Sequence, residues 1–346
     1  MTRDTQATCA WGSVFVADID GGRAVALDAE TGKQKWSYHA GSRVAFSPTL
    51  HEGLCLFGSA DGWVHCLDAA TGKPVYRLLA APRERLIGGQ DKLESMWPVA
   101  NDVFVSGGVA YVSAGIATSI HGGIRVVAFK PQTGEVLWSR CLQGVPAKTD
   151  GEETPALFVA SSGGGPALMG GHGFEPKTGA DARGGGKGLL GGTGMEDWLA
   201  TNNLHRLSED MGAAAIGNAW VGGRLTAFSD DFGAGFSVAR ADKSVLHIGK
   251  ITLAGQSADG KTKWAADTER LNIDDLVVTS DALYCVGHFE EGGKPAELRV
   301  ISRADGKVLA THELRGFPAY NGASAAGNRL FMATREGKLI CLEGKQ

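Results

Sequence analysis

The sequence predicts an all-β fold of the β-propeller class, built from repeated four-stranded blades. A pattern of the form Ala-x-Asp-x-x-Thr-Gly-x-x-x-Trp recurs along the chain, and its first copy is ALDAETGKQKW at Ala26–Trp36. Short apolar segments alternate with turns rich in glycine and aspartate, as antiparallel hairpins require. Most copies of the pattern lie about 40–45 residues apart, which is the length of one four-stranded blade.

Each copy centres on an Asp-x-x-Thr-Gly turn between two strands. Clear further copies are CLDAATGKPVY at Cys66–Tyr76 and AFKPQTGEVLW at Ala128–Trp138, and weaker ones begin at Gly173, Ser257 and Ser302. The two longest gaps between successive turns indicate insertions into the repeat. The turn glycines are Gly32, Gly72, Gly134, Gly179, Gly260 and Gly306.

Within the second copy, each element follows from the residue pattern. Apolar strands are predicted at Leu54–Ser59 and Trp63–Asp68, joined by a turn at Ala60–Gly62. Asp-Gly between alternating apolar runs favours a hairpin, because glycine adopts positive φ without steric cost. The repeat turn at Ala69–Gly72 then leads into a last strand at Lys73–Leu79. No long segment has the apolar period of a helix, so helix should be scarce.

The aromatic residue that ends a copy is expected to fill the joint between neighbouring blades. One small sheet cannot bury both of its faces alone, and a large ring buries roughly 150–250 Å² when it packs between two sheets. The residues expected to dock in this way are Trp36, Tyr76, Trp138 and Trp264.

Residues 1–346 are expected to form a single propeller domain. The last unit, Ala319–Gln346, aligns with the second copy but stops before a fourth strand. Residues ahead of Ser13 could supply that strand, so that N- and C-terminal strands close the ring. The blades number eight if Ala156–Arg240 holds two of them, and seven if it holds one.

These motifs resemble the pyrroloquinoline-quinone-type (PQQ-like) β-propeller repeat family, and the recurring Trp pattern resembles its tryptophan-docking motif. The resemblance covers most of the chain outside roughly Ala180–Ala213. It extends to uncharacterised bacterial PQQ-like propeller proteins through KLESMWPVANDVFVSGGVAYVSAG (Lys92–Gly115) and YNGASAAGNRLFMATREGKLICL (Tyr320–Leu342). The resemblance implies a quinoprotein alcohol dehydrogenase-like fold and implies no activity.

The resemblance also implies what a quinone site would need. Quinone enzymes of this family hold the cofactor under a vicinal Cys–Cys disulfide and above a calcium site of Glu, Asn and Asp. None of the six cysteines of this chain adjoins another. Arg43, Arg125 and Arg299 could face a quinone's carboxylates, but scattered arginines are usually solvated or packed along apolar surface. We therefore expect no cofactor, neither PQQ nor calcium, and no metal site.

Composition narrows the partners. A net charge of −4 disfavours nucleic acid, and no apolar run approaches the about 20 residues of a transmembrane helix. Without a Cys-x-x-Cys motif, zinc-ribbon and thioredoxin-like chemistry have no support, and all six thiols are expected to be buried. Cys55 and Cys66 face each other if Ala60 and Asp61 form the hairpin loop, but not if Asp61 and Gly62 do.

The N-terminal segment begins almost directly in a strand and lacks a signal-peptide core. Either the protein is cytosolic, or this chain is part of a larger exported polypeptide. Proteins with this repeat type are mostly exported, so a periplasmic or extracellular location is expected.

The first insertion, residues 81–101, is the most distinctive segment outside the repeat. Binding residues concentrate on loops of rigid scaffolds, and this loop combines aromatic, acidic, basic and amide side chains that suit a sugar or a peptide. In the alternative interpretation, Trp97 packs at a blade joint as a structural plug and ion pairs stabilise the loop. The candidate binding residues are Arg83, Arg85, Gln90, Glu94 and Trp97.

The second insertion, residues 161–212, is Gly-rich and then polar. Its candidate binding residues are Trp198 and His205. Carboxylates such as Glu196 and Asp197 suit calcium, but their spacing does not match an EF-hand loop. The GGGKG stretch is followed by no helix pattern, which favours a loop over a phosphate site.

The chain has no H-E-x-x-H and no G-x-S-x-G motif. We therefore expect a non-catalytic binding or assembly module for a protein, a glycan or a parent enzyme domain, with its site on the rim loops. The alternative is a divergent quinoprotein dehydrogenase or a sugar-active propeller enzyme that uses the axial funnel.

Overall fold

A computed structural model defines the fold. Within the residues that it describes, every regular element is a β-strand, which confirms the all-β class. The chain divides into two compact units, residues 8–198 with 208–210, and residues 1–7 with 199–207 and 211–346. The described residues are 7–89, 92–99, 101–116, 120–143, 158–160, 166–168, 172–180, 218–221, 224–229, 234–240, 251–256, 262–267, 271–279, 282–289, 293–302 and 304–344.

Antiparallel sheets make up the unit at residues 8–198. The first sheet comprises β1 (Ala7–Ala10), β2 (Ser13–Asp18), β3 (Arg23–Asp28) and β4 (Gln34–His39). The second comprises β5 (Thr49–His51), β6 (Leu54–Gly58), β7 (Trp63–Asp68) and β8 (Pro74–Leu79), followed by a hairpin of β9 (Leu86–Gly89) and β10 (Lys92–Ser95). The third comprises β11 (Phe104–Ser106), β12 (Val109–Ala114), β13 (Ile124–Phe129) and β14 (Val136–Leu142). A three-stranded sheet has β15 (Phe158–Ala160), β16 (Pro166–Leu168) and β17 (His172–Gly173).

The unit at residues 211–346 contains three further antiparallel sheets among its described residues. A five-stranded sheet comprises β18 (Asn218–Val221), β19 (Arg224–Ser229), β20 (Ala234–Arg240), β21 (Ile251–Gln256) and β22 (Thr262–Asp267). A four-stranded sheet comprises β23 (Asn272–Val278), β24 (Ala282–His288), β25 (Ala296–Ser302) and β26 (Val308–Leu314). A three-stranded sheet comprises β27 (Pro318–Ala326), β28 (Arg329–Thr334) and β29 (Leu339–Glu343).

The repeat turn has the same hydrogen bonds in successive copies. In the first copy, a carboxylate oxygen of Asp28 accepts bonds from the backbone N–H and the hydroxyl of Thr31, each at 2.8 Å. The backbone N–H of Gly32, at φ +69°, donates to the carbonyl oxygen of Asp28 at 2.8 Å. Asp68 and Thr71 repeat these side-chain bonds in the second copy. The Asp-x-x-Thr-Gly spelling therefore encodes one turn geometry, because aspartate satisfies the turn's donors and glycine tolerates its positive φ.

Within a four-stranded sheet, strands pair in chain order and burial falls from the first strand to the last. All four residues of β1 are buried, whereas five of the six residues of β4 are exposed or half-buried. The apolar core lies between successive sheets. Leu56 and Val64 of the second sheet share a buried cluster with Val112 of the third, and Val286 shares one with Met332 in the other unit.

The sheets depart from the expected uniform blade in two ways. Residues 218–267 contain five strands in one sheet, in which each strand pairs antiparallel with the next along the chain. Ahead of Ser13, the described strand Ala7–Ala10 pairs with β2 in the first sheet, where the sequence interpretation used this region to complete the last one. The number of blades and the closure of the ring stay predictions.

The structure answers one open question about the cysteines and corrects one expectation. Cys66 pairs with Leu56 and Cys55 with Leu67, so the two thiols are not cross-strand neighbours. Cys141 and Cys341 are exposed rather than buried, because they lie on a fourth strand and on the edge strand β29. Burial raises the pKa of Cys66 to about 12, which keeps that thiol protonated and unreactive.

Candidate functional site

Aromatic side chains tie one sheet to the next. Trp36, on β4, donates its Nε1 hydrogen to the carbonyl oxygen of Ala69 in the repeat turn of the second sheet, at 2.9 Å. Gly72 of that turn lies under the indole, where an added Cβ would come within 2.6 Å of the ring. This position requires glycine for two reasons. The φ of Gly72 is +71°, and a Cβ there would collide with the neighbouring ring.

The same arrangement recurs at the following joints. Tyr76 donates its hydroxyl to the carbonyl oxygen of Pro131 at 2.5 Å, and Trp138 donates Nε1–H to Pro176 at 2.7 Å. In the unit at residues 211–346, the ring of Trp264 also lies against a turn glycine. At each of these joints a Cβ added to the turn glycine would collide with the ring. The docking aromatics thus serve packing, and they do not form a ligand site.

The first insertion forms the β9–β10 hairpin, and Glu94 anchors it. Glu94 is 9% exposed, and its carboxylate accepts two bonds from Arg43, from Nε and, at 2.8 Å, from Nη2. The hydrogen bond with Glu94 is the main cause that raises the pKa of the Arg43 guanidinium. The backbone N–H of Ser95 donates to Ala60 at 2.7 Å. A bidentate pair at low exposure fixes the base of the hairpin on the loops of the first two sheets.

Trp97 seals the end of the same insertion. Its side chain is 5% exposed, and its Nε1 donates to the carbonyl oxygen of His121 at 2.9 Å. The guanidinium of Arg83 lies 5.5 Å from the centre of the Trp97 ring. Trp97 is therefore packed within the protein and offers no open face for stacking a sugar.

Three aliphatic side chains are exposed on the two faces of the hairpin. Leu86, Ile87 and Leu93 are 53%, 38% and 62% exposed. Leu93 pairs with Gly88 and lies diagonally from Leu86 on one face of the hairpin, whereas Ile87 lies on the other face. A Cβ added to Gly88 would meet no atom within 4 Å, so the described residues leave the space beside Gly88 open. Aliphatic side chains on a projecting, anchored hairpin are typical of a protein-binding surface.

The remaining candidate residues divide into exposed ones and ones outside the described residues. Arg83 and Arg85 are exposed at the start of the insertion. Gln90, Trp198 and His205, like the candidate calcium carboxylates, lie outside the described residues. The sequence interpretation missed the three exposed aliphatic residues of the hairpin. The sequence signal for these residues was the Leu-Ile-Gly-Gly stretch two residues before Lys92-Leu93. Its apolar and polar residues alternate poorly, and no other copy of the repeat contains it.

A buried polar chain crosses the joint between the first two sheets. The hydroxyl of Tyr38 lies 3.2 Å from Nδ1 of His65, and Nε2 of His65 lies 3.1 Å from a carboxylate oxygen of Asp61. The neutral tautomer that satisfies both contacts donates from Nε2 to Asp61 and accepts from Tyr38 at Nδ1. His65 is 1% exposed and stacks on Phe57 with ring centres 5.3 Å apart. The histidine is closed off from solvent, and the hydrogen bonds between Tyr38, His65 and Asp61 tie the two sheets together.

Two adjacent carboxylates in the other unit are both buried and paired. Asp274 and Asp275 look like turn residues in the sequence, but both are buried on β23. Asp274 lies 2.6 Å from Nδ1 of His288 and accepts a bond from Arg335 at 3.0 Å, while Asp275 accepts the backbone N–H of Ala323 at 2.7 Å. A register shift between Ile273 and Asp275 lets neighbouring side chains both find partners inside.

The residues of this chain do not match those by which quinone enzymes of the resembled family hold the quinone and calcium. The chain has no adjacent cysteine pair. In the part of the chain that the structure describes, no three His, Cys, Asp or Glu side chains lie together as metal ligands would. The same part holds no helix long and apolar enough to cross a membrane.

Comparison with known proteins gives one family and one curated relative. Residues 4–172 match the family model described as outer membrane protein assembly factor BamB. The chain is 31% identical over 147 residues to a polyvinylalcohol dehydrogenase from a Pseudomonas species. That alignment covers 33% of this chain and 23% of the dehydrogenase, so the chain matches less than a quarter of the relative's length.

Two solved structures resemble the fold over nearly the whole chain. BamB from Moraxella catarrhalis has a TM-score of 0.59 at 15% identity, covering 97% of this chain and 95% of that one. The computationally designed Ika8 protein has a TM-score of 0.63 at 12% identity, covering 99% and 97%. At such identities the likeness concerns the fold alone, and it supports the PQQ-like β-propeller architecture predicted from the repeats.

Proposed function

We propose that this chain is a non-catalytic propeller that binds a protein partner through the β9–β10 hairpin, and the match of residues 4–172 to an assembly-factor family model supports this. The observation that carries the proposal is the exposure of Leu86, Ile87 and Leu93 on a hairpin fixed by the Arg43–Glu94 pair. The description of the matched family as an assembly factor supports a binding role over a catalytic one.

The rigid base of the hairpin supports binding. Glu94 and Ser95 are buried and hydrogen-bonded, and they pair with Ile87 and Leu86, so these aliphatic residues are held in place before a partner arrives. A preorganised surface loses less conformational freedom on binding than a mobile loop does. Aliphatic anchors of this size contribute affinity by leaving water on association.

The chemistry of the β9–β10 hairpin favours a protein over a glycan as its ligand. Sugar sites rely on an exposed aromatic face bordered by free polar groups, but Trp97 is buried and Glu94 is paired with Arg43. The hairpin instead offers aliphatic groups, and the exposed cations Arg83 and Arg85 lie just before it in the chain. An apolar segment with acidic residues at its border matches this surface. We further propose that the partner is met in the periplasm or outside the cell, where the matched assembly-factor family would operate.

Site-specific photo-crosslinking tests the proposed surface. A photoreactive amino acid replaces Leu93 in one variant and Leu309, an equally exposed leucine on β26, in the control. In producing cells, we expect a discrete protein adduct from position 93, its loss when Leu86→Ser is added, and no such adduct from position 309. Leu86→Ser should change the free energy of unfolding by no more than about 0.5 kcal/mol, as surface substitutions usually do. Equal adducts from both positions, or none from position 93, would refute the proposal.

A second candidate function rests on the polyvinylalcohol dehydrogenase relative. A divergent quinone enzyme would share this propeller and its repeats. The missing cysteine pair and the absence of a ligand cluster in the described residues count against it. Thermal unfolding of the chain with pyrroloquinoline quinone and Ca²⁺ separates the two candidates.

A further inference from the structure

A cavity of about 440 Å³ lies within the unit at residues 211–346, between the sheet of β23–β26 and the sheet of β27–β29. Its volume falls in the roughly 300–1,000 Å³ range of ligand sites. Apolar side chains form its walls, among them Tyr284, Leu298, Val300, Leu330 and Leu342. Polar groups border its mouth. The proposed hairpin function makes no use of this cavity.

The strand register shows which residue of this joint is equivalent to the docking aromatic residues of the other joints. Trp36 pairs with Ala26 and Trp138 with Ala128, each one step before a register shift between the third and fourth strands. Ala310 pairs with Val300 immediately before the same shift. Ala310 therefore holds the docking position of its sheet, with a methyl group in place of an aromatic ring.

The wall of the cavity keeps the residue that the docking ring packs against elsewhere. Phe15 pairs with Ala26 and lies 5.8 Å from the ring of Trp36. Tyr111 holds the same place in the third sheet and lies 6.0 Å from the docking indole there. Tyr284, which pairs with Val300, is their equivalent, and it lines the cavity.

The hydrogen-bond acceptor for a docking ring is also kept. In the first joint the indole N–H meets the carbonyl oxygen of Ala69, whose own N–H donates to Gly53. Gly344 is the equivalent residue, since its N–H donates to the carbonyl oxygen of Asn328 at 3.1 Å. Gly344 lines the cavity, and its carbonyl oxygen, which accepts one bond from the Asn328 amide, has a second lone pair.

We infer that this cavity binds a small planar aromatic ring with one hydrogen-bond donor, of the indole or phenol kind. The ring would pack against Tyr284 and Val300 and donate toward the carbonyl oxygen of Gly344, as Trp36 does at its own joint. Arg329 and Glu343 at the mouth form an ion pair at 3.2 Å, so a neutral ring suits the site better than a charged one. The ring could belong to a free compound or to a tryptophan of a peptide.

Calorimetric titration of the full chain with indole tests the inference. We expect saturable binding of one indole per chain, and severalfold weaker binding of 1-methylindole, which cannot donate. Ala310→Trp supplies the docking ring from the chain itself and should weaken indole binding at least tenfold. Ala310→Ser, the matched control, should keep the affinity within twofold. A tryptophan-containing peptide that binds more tightly than indole would assign the ring to a polypeptide; the reverse order would assign it to a free compound.

A second variant keeps the test decisive if Ala310→Trp does not fold. Tyr284→Leu keeps an apolar wall but removes the aromatic face, and it should weaken indole binding at least fivefold while its thermal unfolding stays cooperative. The inference is wrong if the unaltered chain shows no saturable indole binding up to millimolar concentration. It is equally wrong if folded Ala310→Trp binds indole as tightly as the unaltered chain.

Discussion

At the scale of single residues, the buried carboxylates are paired inside the protein and are not available to bind a ligand. Glu94 is held by Arg43, Asp61 by His65, and Asp274 by Arg335. Each charged group meets an opposite or hydrogen-bonding partner, as burial requires. These carboxylates therefore stabilise joints and loops, and the outward-facing chemistry of the first insertion is left to aliphatic side chains.

Removing the charge of Glu94 should loosen the hairpin. In Glu94→Gln the guanidinium of Arg43 loses its bidentate partner at a site of low exposure, and we expect the free energy of unfolding to fall by about 1–3 kcal/mol. Glu135→Gln is the matched control, because the Lys130–Glu135 pair is exposed and such pairs contribute about 0–1 kcal/mol. Urea denaturation measures both. Equal losses would contradict the anchoring role of Glu94.

The Tyr38–His65–Asp61 tie predicts acid sensitivity. Burial alone would raise the pKa of Asp61, but hydrogen bonds from His65 and from the backbone N–H groups of Trp63 and Gly41 lower it. A carboxyl whose pKa is lower when folded contributes stability above its unfolded pKa of about 3.9, and this stability is lost as the pH falls through the folded value. Asp61→Asn should therefore flatten the decline of unfolding free energy below about pH 4. An unchanged decline would show that Asp61 has no part in it.

At the scale of elements, the glycine of the repeat turn performs two tasks that can be separated. Gly32 and Gly72 have nearly the same φ, +69° and +71°, but only Gly72 lies under a docking ring. Gly32→Ala should lose about 1–2 kcal/mol from the left-handed backbone alone. Gly72→Ala should lose about 1–3 kcal/mol more, because its Cβ forces the Trp36 indole to move. Thermal unfolding of both variants gives the comparison, and equal losses would mean that docking contributes nothing.

The local elements were predictable from the sequence, because they depend on neighbouring residues. The strands expected at Leu54–Ser59, Trp63–Asp68 and Lys73–Leu79 are confirmed within a residue as β6, β7 and β8. Their hairpin and repeat turns follow from glycine and aspartate at fixed offsets. The β9–β10 hairpin was not predicted, because its Leu-Ile-Gly-Gly strand has weak alternation and its stability comes from contacts with distant loops.

The partners of buried groups were not predictable in the same way. Arg43 and Glu94 lie far apart in the chain, and no local pattern indicates that they meet. Asp274 and Asp275 resemble turn residues until the register shift in β23 places both inside. Only the folded arrangement shows that Glu94 is satisfied and Trp97 is covered, which moves the candidate site from polar side chains to aliphatic ones.

At the scale of the whole molecule, the repeat explains both the fold and the place where the fold departs from it. Docking aromatics recur wherever a repeat turn follows in the next sheet, as at Trp36, Tyr76 and Trp138. Ala310 stands where the next sheet comprises β27, β28 and β29, with neither a fourth strand nor a repeat turn among the described residues. The departure from the motif therefore coincides with the departure from the sheet plan, and it leaves the cavity beside Tyr284.

That this propeller binds protein rather than a quinone is tested most directly by thermal unfolding of the purified chain with pyrroloquinoline quinone and Ca²⁺. A ligand that binds only the folded state at a hundredfold excess over its Kd would add about 2.7 kcal/mol of stability. We expect an unchanged unfolding temperature at every quinone concentration up to millimolar. A saturable, calcium-dependent rise would contradict the binding-module function and establish the quinone enzyme in its place.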